Sequence, residues 1–198
     1  MEFKIKALSP NLVNDFLDFF DTEDHSDNVK EHKCYCVCWC SDDHRNGLEK
    51  MSSAQKRREL AKEYIKNGMI KGYLAYDKNR VVGWCNSNRK NDCQNCISWL
   101  RNMQEVKITE PSNTLIKSVF CFTIAKNYRK QGIATQLLKR VSNDSLIEGY
   151  TSIEAYPKKV LKKIDAFEGP LEMYLKEGFS IEEELKDYFV VRKNLKEE

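Results

Sequence analysis

Thr123-Ile124-Ala125-Lys126-Asn127-Tyr128-Arg129-Lys130-Gln131-Gly132-Ile133-Ala134-Thr135-Gln136-Leu137-Leu138 reads as the end of an apolar strand, a short basic turn, and a helix opening on a glycine. The strand begins upstream, in Val119-Phe120-Cys121-Phe122-Thr123-Ile124, and Ile133 to Val141 has amphipathic helical spacing. The first N–H groups of a helix have no partner inside it, and the helix dipole adds partial positive charge there. That end is a ready seat for a phosphate or pyrophosphate. Gly132 has no side chain to obstruct a ligand, and Arg129 and Lys130 add fixed positive charge beside it. The plainer alternative is an ordinary strand-turn-helix whose basic turn is merely solvated.

Outward from this stretch, alternating segments read as strands and periodic ones as helices. Phe3 to Ala7 is a strand. Ser9 is an N-cap with Pro10 at the first helical position, and the helix from Asn11 to Phe20 buries Leu12, Phe16, Phe19 and Phe20. Ser52 and Gln55 have capping-box spacing, and Gly68 stops the basic helix that follows. Gly72 to Tyr76 and Val81 to Cys85 flank a polar turn and form a hairpin. Residues 86–116 are a polar insertion with a short helix near Ile97 to Met103. Ser152 to Tyr156 is a strand, Gly169-Pro170 opens a helix closed by Gly178, and Tyr188 to Arg192 is the last strand.

The chain has 198 residues, 41% of them apolar and 32% charged, with a net charge of +3. That fits one domain with a real core and a mixed surface. A dedicated nucleic-acid binder would concentrate basic charge on one face. The clusters Lys56-Arg57-Arg58 and Lys158-Lys159 with Lys162-Lys163 are explained by solvated helix faces. No apolar run nears the roughly 18 residues of a membrane helix, and the start lacks a signal-peptide apolar region. The expectation is a cytoplasmic protein with no nucleic-acid or membrane partner, whose eight cysteines are thiols.

The run Arg129, Lys130-Gln131, Gly132, Ile133, Ala134 resembles the acetyl-CoA signature of the GNAT family of N-acetyltransferases, which reads Arg or Gln, two residues, Gly, one residue, Gly or Ala. A second match is Tyr174, four residues before Gly178-Phe179, where family members often carry a Tyr. Val82-Gly83-Trp84 on the hairpin is a softer third. The resemblance covers about residues 3–20 and 69–192 and is weakest in the variable segments 21–51 and 86–116, where substrates are usually recognised. It implies an α+β (mixed α/β) GNAT fold, a central twisted, mostly antiparallel sheet flanked by helices, with residues 1–198 as one domain.

The resemblance also implies acetyl transfer from acetyl-CoA directly to a primary amine, with no metal. Arg129, Lys130, Gln131, Gly132, Ile133, Ala134 and Thr135 would take the pyrophosphate. A backbone N–H among Phe122, Thr123 and Ile124 would polarise the thioester carbonyl, and Tyr174 would meet the leaving sulfur. An alkyl amine has a pKa near ~10.4, so its proton must be removed first. The strand Ser118 to Ile124 carries no carboxylate. Asp24, Glu31 and Glu105, or a water relay, are the candidate bases. The acceptor is a small-molecule or peptide amine, and a homodimer is left open.

Cys34-Tyr35-Cys36-Val37-Cys38-Trp39-Cys40 stands apart. Read as a core strand, it would place its four cysteines on one face, with Cys34 and Cys40 roughly 20 Å apart. One zinc ion could then reach only two neighbours, and Cys93-Gln94-Asn95-Cys96 could supply the rest. Core packing, metal binding and a redox or thiol-lined pocket all stay open for Cys34, Cys36, Cys38, Cys40, Cys93 and Cys96. Cys121 reads as core. The competing functions are a non-catalytic acyl-CoA-binding protein and a cysteine-based metal or thiol sensor on the same scaffold.

Overall fold

In the computed structural model, residues 3–23, 29–40, 47–106, 114–159 and 166–195 are described. Strands β1 (Lys4–Ala7), β2 (Gly72–Asp77), β3 (Arg80–Arg89), β4 (Ile116–Ile124), β5 (Ser152–Ala155), β6 (Ser180–Glu184) and β7 (Phe189–Asn194) form one sheet in the order β1-β2-β3-β4-β5-β7-β6. Every neighbouring pair is antiparallel except β4 with β5. A parallel pair needs a long crossover, supplied by helix α6 (Ile133–Ile147). The other helices are α1 (Val13–Thr22), α2 (Gly47–Lys50), α3 (Ala54–Lys66), α4 (Lys90–Cys93), α5 (Ile97–Asn102) and α7 (Leu171–Lys176). The sheet is the expected mixed, mostly antiparallel one.

Alternation along β3 assigns the helices to faces. Trp84 meets Phe16 of α1 edge to face, with ring centroids 4.9 Å apart. Its neighbour Gly83 points the other way, where an added Cβ would lie 2.8 Å from the side chain of Ile133. Helix α1 therefore covers one face and α6 the opposite one. Phe16, Phe19 and Phe20 are buried as the periodicity requires, while Leu12 lies before α1 and is half-exposed.

Several local expectations are corrected. The cap of α3 is Ser53, not Ser52; its hydroxyl accepts the Lys56 N–H at 3.2 Å. Ser9 precedes a 3-10 turn, and its side chain makes no capping bond. Strand β6 is exposed at four of its five residues, so it lacks the alternation that marks a half-buried strand. The cysteine block is no strand: Tyr35 and Cys36 adopt φ of 47° and 55°, and Val37–Trp39 is a 3-10 turn. Two successive left-handed residues fold the segment into a hook, so the strand spacing of its cysteines does not apply. Among the described residues no helix is long and apolar enough to cross a membrane.

Candidate active site

The basic turn and the start of α6 present backbone N–H groups that no helical carbonyl accepts. Lys130 and Gly132 take φ of 62° and 80°, and Gly132 caps α6 with no side-chain bond. The first bond from the helical turn is Gln136 N–H to the Gly132 carbonyl at 3.0 Å. The N–H groups of Ile133, Ala134 and Thr135 thus precede the ladder and carry the positive end of a 15-residue helix. Residues 129–132 are exposed, and a Cβ on Gly132 would meet nothing within 4 Å. Gln131 braces the turn by donating to the Asn127 carbonyl at 3.1 Å.

The turn is tied to an open sheet edge. Strands β4 and β5 pair only from Ile116↔Ser152 to Val119↔Ala155. Ala125 N–H donates to the Val82 carbonyl at 3.0 Å, toward β3. Alternation in an antiparallel ladder then turns Thr123 and Cys121 toward β3 as well. It turns the N–H and C=O groups of Phe122 and Ile124 away from β3, to the side that β5 has left. The N–H groups of Phe122 and Ile124 thus face away from β3, whereas that of Thr123, expected with them as a donor, is committed to the ladder opposite Trp84. The Ile124 carbonyl accepts from Arg129 Nε at 3.2 Å, so the arginine that opens the turn also fixes the strand end. A bulge sets this phase: Asn86 faces Cys121 and Ser87 faces Val119, which leaves Phe120 as the extra residue.

The residues matched by a family model now have a structural meaning. The model of the acetyltransferase (GNAT) family matches residues 12–160, which include the end of β4 and the basic turn before α6. The chain belongs to the GNAT acetyltransferase family. Solved structures agree in fold. A GNAT-family acetyltransferase described as putative, from Desulfovibrio desulfuricans, is 13% identical with a TM-score of 0.57, covering 98% of this chain and 100% of that one. The PaiA N-acetyltransferase of Thermoplasma acidophilum, solved with coenzyme A, is 13% identical with a TM-score of 0.54, covering 98% and 99%. An aminoglycoside 6'-acetyltransferase type Ii is 16% identical with a TM-score of 0.56, covering 98% and 99%. No curated protein is a detectable sequence relative.

In this GNAT chain Tyr174 lies on α7, fully buried, and its hydroxyl donates to the Glu168 carbonyl at 2.6 Å. Burial first, then the nearby Cys85, Glu168 and Cys121, hold its phenol well above the ordinary range. The 3-10 turn Ala166–Glu168 that carries its partner packs on β4. Of the candidate bases, Asp24 lies outside the described residues. Glu31 is exposed and accepts the Ala54 N–H at 3.4 Å, and Glu105 is exposed and accepts the Lys186 N–H at 3.1 Å.

Two groups escaped the sequence reading. Glu154 is fully buried on β5, with Lys90 Nζ at 2.9 Å, Arg192 at 2.6 Å, and the Tyr156 hydroxyl at 2.7 Å. Tyr156 also meets Ser118 Oγ at 3.0 Å. This network binds β5 to β4 at Ser118↔Glu154, one pair before the strands part. The second is a largely buried aromatic column beside the point where β4 and β5 part. Phe120 and Tyr156, each one residue past the last strand pair, stack at 6.0 Å. Trp39 stacks on Phe120 at 4.4 Å, and Trp99 meets both rings edge on. The variable segments thus meet over the end of β4. A lone Glu in a strand and four scattered aromatics carry no spacing signal that joins them.

The cysteines converge here too. Cys36 Sγ lies 3.5 Å from Cys121 Sγ and receives the Trp84 indole N–H at 3.1 Å. Cys38 lies 3.8 Å from the Met51 sulfur. Cys93 and Cys96 are fully buried in the aromatic cluster, and Cys96 Sγ caps α5. Among the described residues no group of three or more His, Cys, Asp or Glu is arranged to hold a metal ion.

Proposed function

We propose that the chain, read as one domain over residues 1–198, is an N-acetyltransferase that moves an acetyl group from acetyl-CoA directly to a primary amine. One observation carries this reading: the outward N–H groups of Phe122 and Ile124 and the uncapped start of α6 are joined through the Arg129–Ile124 bond. A cofactor with a pyrophosphate at one end and a thioester carbonyl at the other needs these two donor sets on one line. The exposed turn with open space at Gly132 fits the pyrophosphate, and a strand edge with no ladder partner among the described strands fits an extended chain.

Acetyl-CoA supplies the acyl group as a thioester. The residues Arg129 to Thr135 bind its phosphates by backbone N–H groups and fixed charge. The N–H of Phe122 or Ile124 donates to the carbonyl oxygen as negative charge develops, an effect worth roughly 3 kcal/mol per donor. Tyr174 acts as a hydrogen-bond donor to the leaving sulfur after exchanging its bond to Glu168. A raised phenol makes full proton transfer to a thiolate still more uphill, so the net proton comes from the amine. Water carries it away, since the described candidate carboxylates are exposed and bonded elsewhere.

The acceptor is a small-molecule or peptide amine, selected at the half-buried Trp39 that rests on the buried rings of Phe120, Trp99 and Tyr156. The test is release of free coenzyme A from acetyl-CoA across a panel of amines and N-terminal peptides. Acceptor-dependent release with a matching mass gain of one acetyl group supports the proposal. Tight acetyl-CoA binding with no turnover on any amine class would replace it with the non-catalytic acyl-CoA-binding reading.

A further inference from the structure

The hook of residues 34–40 is an expensive piece of backbone in an otherwise regular domain. Two consecutive left-handed residues without glycine, Tyr35 and Cys36, are unfavourable for L side chains. They persist because the flanks are anchored: Tyr35 donates to Asp21 at 2.7 Å, Lys33 donates to the Asp21 carbonyl at 2.6 Å, and Arg57 donates to the Lys33 carbonyl at 2.7 Å. What the strain achieves is the placement of one sulfur. Cys36 Sγ reaches 3.5 Å from Cys121 Sγ, across 85 residues of sequence. Around the pair, Trp84 donates its indole N–H to Cys36, and the half-buried Cys34 hydrogen-bonds Cys36. Cys85 points to the other face, paired with Phe122, and is no competitor.

A second observation marks the same spot. Asn86 is fully buried, and neither its Nδ2 nor its Oδ1 has a partner. It sits cross-strand from Cys121, so both side chains rise from one face of the sheet. A buried amide left empty is costly in packed protein. An oxygen on the Cys121 sulfur is a polar group that could use it.

We propose that Cys36 and Cys121 form a reversible disulfide when the protein meets a peroxide-class oxidant, pinning the hook to β4. Cys121, the more exposed of the two at 8% against 1%, attacks the peroxide O–O bond, becomes a sulfenic acid and releases one water. Asn86 holds the sulfenic oxygen. Cys36 sulfur, oriented by Trp84, attacks the Cys121 sulfur, the S–O bond breaks, and a second water leaves with the Cys36 proton. Two electrons pass from the thiol pair to the peroxide. The sulfurs need to close by only about 1.5 Å to reach a disulfide bond length. The hydrogen bond with Cys121, together with burial, holds the Cys36 thiol well above its ordinary range, against the opposing hydrogen bonds from Cys34 and then Trp84. Bridging therefore speeds up in mildly alkaline buffer. Because Cys121 adjoins Phe122, the bridge stiffens the strand edge read above as the acyl-CoA seat; this consequence, unlike the bridge itself, rests on that reading.

The experiment treats the reduced 198-residue chain with hydrogen peroxide, alkylates it, and maps tryptic peptides by mass. Residues 34–45 and 118–126 are separate tryptic peptides. The expected product links them in the wild type and in Cys34→Ser, is absent in Cys36→Ser, and is cleaved by dithiothreitol. No link in the wild type, or a link that survives in Cys36→Ser, overturns the proposal. Calorimetry then compares acetyl-CoA binding to reduced and bridged wild type. A loss of about tenfold or more in the bridged form is expected; equal affinity overturns the control of the edge. A reduced protein that binds no acetyl-CoA refutes the acyl-CoA reading instead, and the linked peptides still decide the bridge.

Discussion

Removing the Glu154 carboxylate tests how the sheet opening is held. The side chain is fully buried and accepts from Lys90, Arg192 and Tyr156 at 2.9, 2.6 and 2.7 Å. In Glu154→Leu the Lys90 ammonium, with its side chain 2% exposed, loses the carboxylate that balances it. Breaking a buried pair from one side costs about 3–5 kcal/mol. For a chain of this size that is a fall in Tm of roughly 6–20 °C. Arg192, 23% exposed, can turn to water, so most of the cost traces to Lys90. The double variant Glu154→Leu/Lys90→Met should therefore recover to within about 1.5 kcal/mol of wild type. Lys90→Met alone leaves Glu154 with Arg192 and Tyr156 and should lose about 1–2 kcal/mol. Urea unfolding read by circular dichroism gives all four values. A single Glu154→Leu loss under about 1 kcal/mol, or a double variant as unstable as the single, refutes the argument that a buried, paired charge holds β5 to β4.

Tyr174→Phe should lower kcat while leaving acetyl-CoA affinity nearly unchanged, and should cost about 1 kcal/mol of stability through the lost Glu168 bond; steady-state kinetics with an unchanged kcat, where chemistry limits the rate, would remove Tyr174 from the reaction. Gly72→Ala places a Cβ 2.1 Å from the Cys85 carbonyl oxygen at a φ of 155°, and a loss of about 2–3 kcal/mol in chemical denaturation is expected. Burial, then the nearby Cys34, pushes the Cys38 thiol up to about 11. A raised thiol favours the folded state below the unfolded thiol pKa, and that contribution fades as pH rises through the folded value. The stability gap between wild type and Cys38→Ser should thus hold up to about pH 8.5 and shrink above it; a gap that widens with pH would contradict the shift.

Where the chain obeys a period, the sequence was legible. The strand-turn-helix around Gly132 is legible from its residues alone, because a basic turn between two apolar periodic segments has few other folds. The hairpin of β2 and β3 and the stop at Gly68 follow the same local rules. The hook of residues 34–40 was not legible. Its alternation of cysteine with Tyr35, Val37 and Trp39 mimics a strand, and only the anchors at Asp21 and Arg57 force the left-handed turn. Strand β6 lacks a buried face, so it had no pattern to find. In the site, the Gly132 turn was visible as charge and glycine, while the restriction of the β4 donors to Phe122 and Ile124 depends on a bulge at Phe120 and on where β5 departs. Both are decided by pairing between distant segments. Glu154 likewise becomes informative only once Lys90 and Arg192 arrive from other elements.

The central claim, that the open β4 edge and the start of α6 together seat acetyl-CoA, is tested most directly by calorimetric titration of the reduced protein with acetyl-CoA beside Gly132→Glu. The exposed turn tolerates the new side chain in space, although its left-handed φ adds some strain, and circular dichroism will report whether the variant folds. The glutamate sets a negative charge where the phosphates would lie. The account predicts micromolar binding to the wild type and its loss in a folded variant. Wild-type protein that does not bind acetyl-CoA, or a variant that binds it equally well, would contradict it.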